Sequence, residues 1–316
     1  MLSVHLEDGV VEVREAPMPV RTKGFALIRL VCGGICNTDL ELQRGYYGFS
    51  GTPGHEFVGE VVEADSPEWI GRRVVGEINL GCGLCSVCQS GMERHCPSRT
   101  VLGIVKHPGA FQEFFTLPEK NLRAVPDEVA TKHAVFTEPI AAAFEILEQV
   151  PIPPGDTVAV LGDGKLGLLI AQVLIAHGCR VTHFGKHIEK LKISERAGAR
   201  VQVAGDLPRA AYTWVVEATG SATGLSGAIG MTRPRGTVFM KSTVHGQVSF
   251  DAAAVIVNEI TLVGSRCGRF EPALEMLKTG KLHLDPMISC RMPLRLAPEA
   301  FGRAAEKNVL KVLLTP

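Results

Sequence analysis

Cys82, Cys85, Cys88 and Cys96 stand within one glycine-rich segment, residues 81–97, at spacings of two, two and seven intervening residues. The short spacings let successive sulfurs face one centre, and the longer gap brings the chain back. Four thiolates so placed close a tetrahedral shell around zinc and leave no position for water, which marks a structural site. A second constellation is spread over more of the chain: Cys36, His55 and, much later, Glu138 in Thr137-Glu138-Pro139. One thiolate, one imidazole and one carboxylate would leave a fourth position open, as a Lewis-acid catalyst requires. Asp39 could accept from the His55 ring and orient it. The hydroxyl of Thr38, two residues from Cys36, could move a proton. The remaining cysteines, Cys32, Cys179, Cys267 and Cys290, sit in apolar or isolated settings and read as small core or surface residues.

A third set of residues reads as a phosphate cradle. Gly162-x-Gly164-Lys165-Leu166-Gly167 follows an apolar run and opens a helical one. The first glycine permits a tight turn, the second lets backbone approach a pyrophosphate, and the third lets helix and strand pack closely. The phosphates then face the helix N-terminus. NAD sites carry an acid about 20 residues further on, where it holds the ribose 2′-hydroxyl. Here that strand ends Gly185-Lys186-His187, and no carboxylate appears before Glu189. Gly185 leaves room for a bulky group, and Lys186 and His187 offer positive charge, so the expected preference is for NADP over NAD. Arg266 is a further candidate cofactor contact; a domain-interface salt bridge explains it equally well. Tyr46, Tyr47 and Phe49 could line a substrate cleft, with core packing an equal alternative. His95, His107, His133, His177, His183, His245 and His283 show no partner pattern and are assigned no chemistry.

These groups need a scaffold. At about 100–200 residues per domain, 316 residues suggest two domains. Lys and Arg total 33 against 33 Asp and Glu, so nothing in the charge balance points to nucleic acid or an anionic membrane. A 46% hydrophobic and 21% charged composition is that of a globular chain. Acids among the first ten residues argue against a signal peptide, and the longest apolar region, residues 158–176, is interrupted by Asp163 and Lys165. Crowded cysteines without an export signal suggest metal binding in the cytoplasm.

Short alternating runs at residues 10–13, 25–31 and 57–62, separated by turn residues, predict an all-β barrel or sandwich of antiparallel strands over the first 135 residues. The pattern changes near Glu138. Residues 140–150 read as a helix ended by Pro151-Ile152-Pro153-Pro154-Gly155. Then come a strand at Thr157–Leu161, a helix at Lys165–His177 and a strand at residues 180–184. Further strands are expected at residues 213–217, 237–241 and 260–263, a helix at 271–279 and a final strand at 309–314. Alternating strands and helices imply a parallel sheet covered on both faces.

Together, the Gly-Ile-Cys-x-Thr-Asp and Gly-His-Glu-x-x-Gly segments, the four-cysteine loop, the glycine fingerprint and the closing Lys311-Val312-Leu313-Leu314 resemble the zinc-dependent medium-chain alcohol dehydrogenase family. The Glu-Pro at Glu138 looks like the branch containing sorbitol, threonine and glucose dehydrogenases. The resemblance implies an α/β chain: a GroES-like β-rich catalytic domain at residues 1–139 and 266–316, and a Rossmann doubly wound domain at residues 140–265. It implies catalytic zinc on Cys36, His55 and Glu138, structural zinc on Cys82, Cys85, Cys88 and Cys96, and Glu56 as an acid that can replace water on the metal. It further implies hydride exchange between a nicotinamide and an alcohol or carbonyl substrate, in a homodimer or homotetramer. Asn37 and Glu41 depart from the family pattern, and they leave pyrophosphate contacts and the outer proton relay open. Three other readings stay open from the residues alone: an NAD-dependent polyol or amino-alcohol dehydrogenase, a non-catalytic NADPH-binding protein, and a zinc-stabilised nucleic-acid module.

Overall fold

The alternating run at residues 25–31 extends, in the computed structural model, to the ten-residue strand Phe25–Gly34. The structure describes residues 1–244 and 247–316, so His245 lies outside the described residues. The chain divides into two units: Met1–Glu138 with Ile288–Pro316, and Pro139–Met287.

In the first unit Phe25–Gly34 belongs to a seven-stranded sheet. It pairs antiparallel with Glu56–Glu63, Phe114–Pro118 and Lys311–Thr315. Arg29 faces solvent, but Ala26, Leu27 and Ile28 are buried in succession, so this strand is covered more fully than the alternation at residues 25–31 predicts. The antiparallel expectation holds for these pairs but not at one edge, where Ile288–Pro293 runs parallel to Lys311–Thr315. Register does the positioning. Gly34 lies opposite Glu56 on one side and Leu313 on the other. Residues 36, 55–56 and 311 are thereby drawn to one end of the sheet. Just beyond Gly34 the chain turns into the helix Asn37–Gln43, whose first turn carries Thr38 and Asp39.

The second unit is built on a six-stranded parallel sheet in the order Arg200–Val203, Arg180–Gly185, Thr157–Leu161, Tyr212–Glu217, Thr232–Met240, Thr261–Gly264. Numbered by sequence this is 3-2-1-4-5-6, the doubly wound dinucleotide order. Residues Val158 through Leu161 are all buried, as expected for a strand covered on both faces. Ala159, Leu161, Phe184, Val215, Ile229, Met231 and Val238 form part of its core. The helix expected at residues 140–150 starts earlier, at Thr137–Gln149, because proline is tolerated in a first turn. Residues 266–287, expected with the first domain, pack in the second unit. A Cβ on Gly268 would lie 1.9 Å from the Ala141 carbonyl oxygen, and the His283 N–H donates to Gln172 Oε1 at 2.6 Å.

Candidate metal centres and dinucleotide loop

Cys36, at the N-cap of the Asn37–Gln43 helix, accepts the Thr38 N–H through Sγ at 3.5 Å; Thr38 Oγ1 lies 3.7 Å from the same sulfur. Asp39 is fully buried and ties the segment together. Its Oδ2 accepts the Cys36 N–H at 2.8 Å, and its Oδ1 accepts the Gly54 N–H at 3.2 Å. The same Oδ1 stands 3.4 Å from His55 Nδ1, within ion-pair reach but outside hydrogen-bond alignment. Burial disfavours a charged His55, yet the charges of Asp39 and Cys36 outweigh it and hold the imidazole well above the usual histidine range.

Donor atoms of Cys36, His55 and Glu56 all lie within 4.8 Å of one another. Glu56 is 1% exposed and its carboxylate is split between two situations. One oxygen, Oε2, pairs with the ammonium of Lys311, which also lies 5.6 Å from the centre of the Phe136 ring. The other, Oε1, has no hydrogen-bond partner among the described residues. A buried carboxylate oxygen without a donor is costly, and a cation beside a thiol and an imidazole would satisfy it. The donor set therefore fits zinc. Glycine is required for the approach: a Cβ on Gly34 would lie 2.6 Å from Val135 and 2.7 Å from Glu56 Oε2. Glu138 is half-buried in the first turn of Thr137–Gln149 and is not a member of this trio.

The four cysteines form the other cluster. Cys82 and Cys88 sulfurs are 3.9 Å apart, and those of Cys85 and Cys96 are 3.8 Å apart. A zinc–sulfur bond of about 2.3 Å gives a tetrahedral edge of about 3.8 Å, whereas a disulfide needs about 2.05 Å. The separations fit that edge and not a disulfide. N–H groups of Leu84 and Cys85 pull the Cys82 thiol down to about 6, toward the thiolate that binds metal. Of the cysteines assigned no chemistry, Cys32 and Cys179 are core residues at 4% and 6% exposure; burial pushes Cys32 up to about 11.

The glycine loop has the expected form. Gly162 adopts φ +121°, and a Cβ on Gly167 would lie 1.9 Å from the Gly162 carbonyl oxygen, so helix Lys165–His177 packs on the turn only through glycine. Residues 164–167 thus lead from the strand end into the helix N-terminus. Two contacts went unforeseen. His183 is fully buried, its Nε2 2.8 Å from the Gly162 carbonyl and its Nδ1 2.8 Å from Ser194 Oγ. A neutral imidazole meets both, with Nε2–H donating to the carbonyl and Nδ1 accepting the hydroxyl. Asp163, inside the fingerprint, turns its carboxylate onto the end of Arg180–Gly185. Its Oδ2 accepts the His187 N–H at 2.5 Å and lies 3.0 Å from His187 Nδ1. The space over Gly185 is therefore filled: a Cβ there would meet Asp163 Oδ2 at 2.8 Å. Lys186 remains exposed. The Arg266 carbonyl accepts from the buried Lys241 ammonium at 2.9 Å. Tyr47 and Phe49 line a cavity of about 740 Å³ together with Arg99 and Lys106.

Two family models match the chain: an alcohol dehydrogenase GroES-like domain over residues 22–127, and a zinc-binding dehydrogenase domain over residues 166–279. Among curated relatives, the sorbitol dehydrogenase of Halalkalibacterium halodurans is 28% identical, covering 96% of this chain and 95% of its own. The erythritol/L-threitol dehydrogenase of Mycolicibacterium smegmatis is also 28% identical, over 96% of this chain and 94% of its own. A protein of Sinorhizobium meliloti 1021, described as a zinc-binding dehydrogenase and solved bound to NADP, superposes with a TM-score of 0.92 at 29% identity, covering 100% and 99% of the two chains. No helix among the described residues is long and apolar enough to cross a membrane.

Proposed function

Because the chain belongs to the zinc-dependent medium-chain alcohol dehydrogenase family, we propose that it oxidises a polyol, sugar or small alcohol, or reduces the matching carbonyl, with NADP(H) preferred and two zinc ions per chain. It is an NAD(P)-dependent oxidoreductase acting on alcohol substrates. One observation carries the reading most directly: Cys36, His55 and Glu56 converge within 4.8 Å, with a buried Glu56 oxygen left for a cation.

When bound, zinc supplies Lewis-acid polarisation of the substrate oxygen and the nicotinamide supplies or accepts the hydride. Cys36 and His55 would hold the catalytic ion, with Glu138 as third ligand. Lys311 pairs with Oε2 of Glu56 only, so Oε1 stays available to the same ion as an auxiliary ligand. Asp39 fixes the Cys36 backbone and stands beside His55. Thr38 Oγ1, beside the Cys36 sulfur, takes up and passes on the substrate proton. Glu41, on the same helix, is engaged by Arg44 at 2.6 Å. Gly162, Gly164, Lys165, Leu166 and Gly167 would cradle the pyrophosphate, with Lys186 and His187 toward a 2′-phosphate.

Ligand-like sulfur separations in place of disulfides support a reducing, cytoplasmic setting. Ile256 and Val257, 74% and 79% exposed beside the sheet edge Thr261–Gly264, support a homodimer or homotetramer built through the second unit. The test is a panel of polyols, sugars and simple alcohols assayed with NADP+ and NAD+, on the native chain and on Cys36→Ser. The proposal expects turnover with NADP+ favoured, two zinc ions in the native chain, and one zinc with no turnover in the variant. Two zinc ions in active Cys36→Ser would refute the site.

A further inference from the structure

The end of the strand Arg180–Gly185 is where a doubly wound sheet places the acid that recognises the adenosine ribose. This chain has glycine, lysine and histidine there, and none of them is an acid. Yet a carboxylate occupies the place. Asp163 reaches over from the glycine loop, and its side chain fills the volume a Gly185 side chain would take, with Cβ, Cγ and Oδ2 at 2.5–2.8 Å from an ideal Cβ. Its Oδ2 is held by the His187 N–H at the start of the helix Ile188–Arg196 and by the His187 ring. Asp163 is 9% exposed, whereas the His187 side chain is 47% exposed and Lys186 is exposed. Glu189, the next acid, is spent on Lys192 at 2.9 Å.

We propose that Asp163 is the cofactor-specificity residue of this enzyme, a carboxylate lent by the glycine loop to the strand end, where it accepts from a ribose 2′-hydroxyl and opposes a 2′-phosphate. The proposal rests on the dinucleotide reading above and refines it. Lys186 attracts the phosphate, Asp163 repels it and engages the His187 ring at 3.0 Å, and the balance sets the ratio. Gly185 thus makes room for Asp163 and not, as its sequence position predicts, for a bulky ligand group. An alternative role, simple capping of the Ile188–Arg196 helix, predicts no discrimination between cofactors, because a cap does not sense the 2′ substituent.

Isothermal titration of the full-length protein with ADP-ribose and with 2′-phospho-ADP-ribose reads this site without turnover. Asp163→Asn keeps an oxygen for the His187 N–H and removes the charge. It should weaken ADP-ribose by about tenfold and tighten 2′-phospho-ADP-ribose severalfold, since a charge-assisted bond is lost and a repulsion removed. Asp163→Ser should shift the ratio the same way, which guards against misfolding of either variant. Equal changes in both constants, or none, would overturn the proposal. Lys186→Ala separates it from the NADP reading: unchanged 2′-phospho-ADP-ribose binding there refutes the phosphate role of Lys186, while the Asp163 effect on ADP-ribose stands or falls independently.

Discussion

Lys311 and Glu56 form an ion pair from which water is excluded, their side chains 3% and 1% exposed, although they lie at opposite ends of the sequence. Burial alone would lower the Lys311 pKa, but the nearby charges of Glu56 and Cys36 raise it. Removing one partner of such a pair leaves an uncompensated buried charge and costs about 3–5 kcal/mol. Lys311→Met should therefore lower the thermal midpoint sharply. Adding Glu56→Gln to it should recover much of the loss, because the second change removes the stranded charge. Additive losses in that double-mutant cycle would show that the two groups do not interact.

Gly34 is the hinge on which that pair and the Cys36 sulfur approach each other. A methyl there would sit 2.6 Å from Val135 and 2.7 Å from Glu56 Oε2, inside any real contact distance. Gly34→Ala should cost about 1–3 kcal/mol in stability, the usual range for overpacking, and should reduce zinc retention in the open site. Unfolding midpoints and metal content after dialysis against a weak chelator measure both.

Cys85→Ser opens the four-thiolate shell while leaving the other constellation untouched. Zinc content should fall by one per chain, and residues 81–97 should become cleavable by protease, since that segment has few packed side chains of its own. Quantitative metal analysis with limited proteolysis gives the answer; an unchanged zinc count would remove the structural site.

Thr38→Val tests proton movement. The hydroxyl beside Cys36 Sγ is replaced by a methyl of similar volume, so ligation is preserved. Turnover should fall by about 10²–10⁴-fold with zinc content unchanged. Normal kcat would place the proton path elsewhere.

The local elements were written plainly in the residues. The unbroken run at Thr157–Leu161 announces a strand covered on both faces, and the run at residues 25–31 announces a strand while understating how much of it is buried. Short-range chemistry was equally visible: Cys82, Cys85, Cys88 and Cys96 fold into one centre within a single loop. What stayed hidden depends on register and on loops folding back. Glu56 joins Cys36 because Gly34 lies opposite it in the sheet, and Lys311 arrives on a third strand. Asp163 hid inside the glycine fingerprint, where attention falls on the glycines, and its alignment with Gly185 requires the parallel pairing of neighbouring strands. His183 lacked a sequence signal for the same reason: its partners are a backbone carbonyl and a serine on another element.

His183 links the dinucleotide loop to pH. Burial lowers its pKa from 6.5, partly offset by the bond to the Gly162 carbonyl, so the folded protein holds it neutral. Below that value the unfolded chain takes up a proton that the native chain refuses. Stability from this group is thus fully present above 6.5 and is lost as pH falls toward the native value. His183→Phe removes the titration and leaves the Gly162 carbonyl and the Ser194 hydroxyl without their partner, at a cost of about 1–3 kcal/mol. The variant should be less stable than the native chain at neutral pH, and the gap should narrow as pH falls below about 6.5. It should also bind ADP-ribose more weakly, because the Gly162 turn is no longer pinned from behind. Unfolding midpoints across that range, with calorimetric titration at neutral pH, check both arms. A gap that stays constant with pH would show that His183 does not titrate in the native fold as its surroundings require.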